Sequence, residues 1–179
     1  VTTVIINFFG TIWGTGRAIV TNLQIRWFYT GMVLYFITCA QCALQVTHTF
    51  QKLIHFTDWV VGHAHLVMFG VFSMWFFGMM TYLFPRLLKQ AWYSRALCEW
   101  HFWLSIGGIT VMFIDLTLAG VFQGYYWASL QPWEVSVDGS QPFWVVRLFA
   151  GLAIIGGQLA FVWNLWKTWR LSRRPPTAV

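Results

Sequence analysis

Two imidazoles set the chemical possibilities of this chain. His63 and His65 stand two positions apart in Gly62-His63-Ala64-His65, near the start of an apolar stretch from Phe56 to Leu88. Each residue turns a helix by ~100°, so the two rings project about 200° apart and face opposite ways. A pair chelating one ion would sit at i and i+3 or i+4, whereas this spacing serves two separate metal sites, one on each flank. Haem suits that geometry, because a haem iron takes an axial histidine and the small Gly62 and Ala64 leave room for a macrocycle on either side. The competing reading is a pair of buried, hydrogen-bonded histidines, which is the ordinary outcome in a soluble core. Inside a membrane segment ionisable groups are costly and functional by default, which favours ligation.

The elements that must hold this pair are membrane helices. The 179 residues are 58% hydrophobic and 9% charged, with 13 Trp and 17 Phe. A chain of this size cannot hide so much apolar surface in its own core, and lipid must cover the rest. The formal charge of +6 falls in short connectors and a tail rather than along a groove, which points to a membrane and away from nucleic acid. Cys39, Cys42 and Cys98 are an odd number for a disulfide framework. Cys39-Ala40-Gln41-Cys42 has redox-motif spacing but lies in a lipid-length helix, so packing is the better account, and Ala43 stands where covalent c-type haem attachment would need a histidine. Val1 is already apolar, with no basic n-region or cleavage site after it, and the chain reads as the carboxy-terminal part of something longer.

In chain order, Val1 to Trp13 is too short for the ~20 residues a span needs and reads as a truncated membrane helix. A span from Arg26 to about Gln45 follows, with Trp27 and Tyr29 near its interfacial end; Gln41 and Gln45 share a face directed at protein or cofactor. The connector Val46 to Thr57 carries His48, Lys52 and His55, and Thr57-Asp58 caps the central helix, which ends near Pro85 and Arg86. At 1.5 Å per residue His63 lies ~7 Å and His65 ~10 Å below that start. Haems bound there would turn their propionates to the His55 end. A further span runs from about Trp100 to Tyr125 with Asp115 in its middle, an acid that should not face lipid and that pairs with a neighbour, joins a proton path or stays protonated. Gln131 to Pro142 reads as a polar excursion, Phe143 to Trp166 as a last span, and residues 167–179 as a basic tail.

With alternating helices, Arg17, Arg26, Arg86, Lys89, Arg95, Lys167, Arg170, Arg173 and Arg174 fall on one side and only Lys52 and Arg147 on the other. By the positive-inside rule the tail is cytoplasmic and the histidine end faces outward. The expected fold is therefore an all-α, polytopic transmembrane bundle of about five helices, residues 1–179 forming a single group with no soluble domain boundary.

The stretch His55-Phe56-Thr57-Asp58-Trp59-Val60-Val61-Gly62-His63-Ala64-His65 resembles the haem-bearing helix of the catalytic subunit of C-type haem–copper oxygen reductases, the cytochrome cbb3-type oxidases. The likeness continues in Arg26-Trp27-Phe28, His101-Phe102-Trp103, Gly120-Val121-Phe122-Gln123-Gly124, Val146-Arg147 and Asn164-Leu165-Trp166-Lys167-Thr168. The resemblance implies part of a twelve-helix fold in a bacterial inner membrane. It implies two haem b groups, with His63 the proximal ligand of the high-spin haem, where oxygen is reduced, and His65 an axial ligand of the low-spin haem that feeds it electrons. His55 corresponds to a histidine near the high-spin haem propionates. Gln41 stands where well-known members carry a glutamate facing the proximal histidine, and an amide there supplies no negative charge to raise ligand basicity, which raises the reduction potential.

The family's copper ligands, cross-linked tyrosine and second low-spin ligand lie on helices before this segment, and His48 and His101 are not placed as a copper triad. The implied partners are those amino-terminal helices, c-type cytochrome subunits, cytochrome c, oxygen and membrane lipid, and this chain alone is expected to be inactive. The implied reaction is reduction of oxygen to water coupled to proton translocation. Three other readings share some of these residues. Nitric oxide reductase would keep the ligands and change the substrate, a haem-free transporter would use His63, His65 and Asp115 as a proton relay, and a membrane cytochrome would carry two haems without oxygen chemistry.

Overall fold

Side-chain caps open three of the long helices. Asn22 accepts from the backbone N–H groups of Gln24 and Ile25, Thr57 from that of Trp59, and Ser94 from that of Leu97, each satisfying a donor that a first helical turn leaves open. The computed structural model describes residues 1–173. These form α1 Thr2–Ile12, α2 Gly16–Thr21, α3 Leu23–Gln45, α4 His48–Ile54, α5 Asp58–Leu88, α6 Arg95–Ala128 and α7 Trp133–Ser172, with no strand among the described residues. Helices α3, α5, α6 and α7 are long and apolar enough to cross a membrane, and the 11 residues of α1 are not. The chain is an integral membrane protein. Within α5 the stretch Leu66–Ser73, which starts directly after His65, is wound as a π-helix, and Ser73 Oγ donates to the Met68 carbonyl five residues back at 3.0 Å.

Helices α6 and α7 pack antiparallel along their length, and α5 lies between α6 and α3. Small residues let the backbones approach, as lipid-embedded helices require. Gly62 faces Leu116, Gly108 faces Ile154, and Gly120 lies so close to the Trp59 backbone that no Cβ fits there. At the end away from the histidine pair, an aromatic layer joins four helices. His101, 1% exposed, stacks on Phe161 at 4.4 Å and meets Phe77 and Trp27 edge-on or tilted at 4.5 and 4.8 Å.

At that same end the cations gather. Arg26 pairs with Glu99 at 2.6 Å, Arg95 donates to the Thr21 carbonyl, and Lys167 lies over the Tyr93 ring. The connectors hold more helix than expected, since α2 and α4 occupy stretches read as links. The expected polar excursion at 131–142 is instead largely the opening of α7, which starts at Trp133 and carries Pro142 inside it. Its polar groups are satisfied along one helix face: Ser140 donates to the Ser136 carbonyl at 2.7 Å, while Trp127 and Gln123 of α6 donate to the Ser136 and Ser140 hydroxyls at 3.0 and 3.2 Å. The basic tail is likewise corrected in part. Lys167 and Arg170 belong to the last turns of α7, where both lie over the Trp166 ring, and residues 174–179, Arg174 included, lie outside the described residues.

Candidate functional site

The first turn of α5 is anchored from three sides. Gln123 of α6 accepts from the Asp58 backbone N–H at 2.7 Å and donates to the Asp58 carboxylate at 2.8 Å, and Trp144 of α7 donates to the same oxygen at 3.1 Å. Gly120 brings α6 against Trp59, and Gly124 brings it against the Leu53 carbonyl. The Thr-Asp-Trp lead-in and the Gly-x-x-Gln-Gly run are therefore two halves of one clamp. Trp59, 2% exposed, passes this rigidity on by stacking on the His63 ring at 5.7 Å with only 6° between the planes.

From this fixed start the two imidazoles leave α5 in opposite directions, as a spacing of two requires. His63 turns to α3, where the buried Gln41 Oε1 accepts from Nδ1 at 3.0 Å and Cys42 Sγ lies 3.6 Å from Nε2. His65 turns to a groove of about 520 Å³ between α6 and α7, lined also by Met112, Trp144, Arg147 and Gly151, a volume within the range of small-molecule and cofactor sites. Its Nδ1 donates to the Val61 carbonyl at 2.8 Å.

In both rings, then, Nδ1 carries the proton and is tied down, and Nε2 keeps its lone pair. That is the arrangement of a metal-ligating histidine, whose second nitrogen is held by an acceptor that sets tautomer and orientation. The residues present fit an axial ligand of haem on each flank. His63 would meet its group beside Cys42, and His65 would meet its group in the groove.

The other residues singled out from the sequence are placed as follows. His55 is exposed in the link before α5, bonded to Gln51 at 2.9 Å and against Phe56 at 4.0 Å. Asp115 is buried in α6, away from lipid. His48 lies in α4 and His101 in the aromatic layer, so the fold does not bring them together. Cys98 is buried and accepts from Asn164 at 3.0 Å. Arg147, placed in the last span and counted with Lys52 in the charge balance, is a wall of the His65 groove, and Trp59, Gln123 and Trp144 position the pair. An arginine in an apolar run was the available signal for the first of these.

The family model described as cytochrome C and quinol oxidase polypeptide I matches residues 1–153. The chain belongs to this family. Among curated members of subunit I, cytochrome c oxidase subunit 1 of Rhodobacter capsulatus is 29% identical over 181 residues, covering 97% of this chain and 34% of that protein. The cbb3-type cytochrome c oxidase subunit CcoN1 of Stutzerimonas stutzeri is 25% identical over 171 residues, covering 91% of this chain and 36% of that protein. A chain of a haem–copper terminal oxidase dimer solved by cryo-EM superposes with a TM-score of 0.68 at 18% identity, over 87% of this chain and 28% of that one. The chain thus spans about one third of the length of the subunit I relatives it matches. Its helical bundle is the subunit I fold over that span, and the resemblance carried by the central helix agrees with the family.

Proposed function

We propose that this chain is the haem-bearing carboxy-terminal part of the catalytic subunit of a C-type terminal respiratory oxidase in a bacterial inner membrane. That enzyme would reduce oxygen to water with electrons from cytochrome c and couple the reaction to proton translocation. The observation that carries the reading is the pair of imidazoles on one clamped helix, each with Nδ1 engaged and Nε2 directed to its own flank.

In this reading His63 holds the high-spin haem and His65 the low-spin haem, both haem b, and bound haem supplies the reversible one-electron chemistry. Gln41 fixes the His63 ring through an uncharged acceptor, which adds less electron density to the imidazole than a carboxylate would. Arg147 faces the His65 groove and would take the acid groups of the macrocycle there, while His55 would serve the propionates of the high-spin haem. In this reading the copper ligands would lie on amino-terminal helices outside this span, so activity would require those helices, together with c-type cytochrome subunits. The cations gathered opposite the histidine end support a cytoplasmic carboxy-terminus.

The test is a reduced-minus-oxidised visible spectrum, with and without carbon monoxide, on membranes holding this chain with its native upstream helices and partners. His65→Ala should remove the low-spin haem signal and His63→Ala the carbon monoxide response. A wild-type preparation without haem overturns the proposal and leaves a proton-relay transporter as the reading to pursue.

A further inference from the structure

The unassigned group in this bundle is Asp115. It is 7% exposed, and its Oδ2 is buried without a hydrogen-bond partner. Contacts between α6 and α7 fix what lies opposite it. Ser105 meets Gln158, Gly108 meets Ile154, Gln123 meets Ser140 and Trp127 meets Ser136, one antiparallel register within a residue. Seven residues on from Gly108 is Asp115, and seven back from Ile154 is Arg147, so the two stand across the interface from each other. The register of α5 on α6, with Trp59 at Gly120, Gly62 at Leu116 and Gly70 at Ile109, sets Asp115 at the depth of the histidine pair.

Arg147 lines the His65 groove and, among the described residues, forms no ion pair. Burial bears on Asp115 most, and after it the charges of Arg147 from α7 and Asp58 from the head of α5. Without a membrane-buried counter-charge, a guanidinium at this depth is costly. A water between the two groups would satisfy both of them at a separation beyond a direct ion pair.

We infer that Asp115 is a positioning residue for the His65 site: it holds the Arg147 guanidinium at the groove wall, and its negative charge favours the oxidised state of the iron bound at His65. This rests on the reading of His65 as a haem ligand. In a medium of low dielectric a carboxylate at this depth acts on the iron with little screening, and it offsets the opposite pull of Arg147.

The experiment is a redox titration of the complete oxidase complex, following the low-spin and carbon monoxide-binding haems separately, with haem content measured in each variant. Asp115→Asn should keep both haems and raise the midpoint potential of the low-spin haem more than that of the other, and Asp115→Glu should return it toward the wild-type value. Full haem content with an unmoved low-spin potential in Asp115→Asn overturns the inference alone. A wild-type complex with no low-spin haem overturns the reading of His65 and this inference with it. If Asp115→Asn loses haem, Asp115→Glu decides. Recovery of haem when the carboxylate is restored supports the counter-charge, and continued loss overturns it.

Discussion

Gln41 is the residue on which the character of the His63 site turns. Its amide oxygen accepts the bond from Nδ1–H at 3.0 Å and does so from a buried position on α3, so the ring is oriented but gains less basicity than a carboxylate would give it. Gln41→Glu places a charge at the same bond, and the expected outcome is a lower reduction potential of the carbon monoxide-binding haem in a spectroelectrochemical titration, with the low-spin haem little moved. An unchanged potential removes the support for a retuned site. The histidine pair and Gln41 were legible from spacing, because a helical step of two and a shared face are properties of the local sequence. Trp59 and Arg147 were not, since the stacking of one on His63 and the entry of the other into the His65 groove depend on how α5, α6 and α7 are set against each other.

The tightest of the glycine contacts between helices is Gly120 against the Trp59 backbone, where a Cβ has no space because the neighbour is main chain and cannot rotate away. Gly120→Ala should push α6 off the first turn of α5 and cost about 1–3 kcal/mol by overpacking. Because Trp59 orients His63, thermal denaturation and the haem spectrum should worsen together. Gly107→Ala, where nothing lies within 4 Å, should change neither. The central helix and its Thr57 cap could be read from the sequence, which shows a cap residue at the head of a long apolar run. The opening of α7 could not. Its polar residues and prolines have the composition of a loop, and only the hydroxyl bonds from Trp127 and Gln123 to Ser136 and Ser140 make helix the better solution there.

Over the whole molecule, charge and shape give the bundle a polarity. One end holds the Arg26–Glu99 pair, Arg95 and Lys167, while the opposite end holds the Asp58, Gln123 and Trp144 clamp beside the histidines. In a background lacking Cys39, Cys42 and Cys98, a membrane-impermeant thiol reagent applied to intact cells should label Lys52→Cys and leave Lys89→Cys unlabelled until the membrane is opened. The reverse pattern overturns the orientation. Large apolar side chains along α7, among them Phe149, Leu152, Leu159 and Val162, stay half exposed or more, as a lipid-facing helix requires.

The π-helical stretch gives this bundle a tolerance in one window that it lacks in the next. A helix is a screw, and a turn that closes over an extra residue takes up slack along the thread without bending the shaft. The two sides of the π-helical stretch are seated separately, the first by Asp58 and Trp59 on α6 and the second by Phe77 against Trp27 and His101. Deleting Val67 lets Leu66–Ser73 rewind as ordinary helix with both ends in place, and both haem signals should survive. Deleting Ala64, three residues earlier, swings one imidazole by ~100° relative to the other, and one haem signal should vanish. A one-residue deletion in this helix is therefore neutral within Leu66–Ser73 and ruinous between the two histidines.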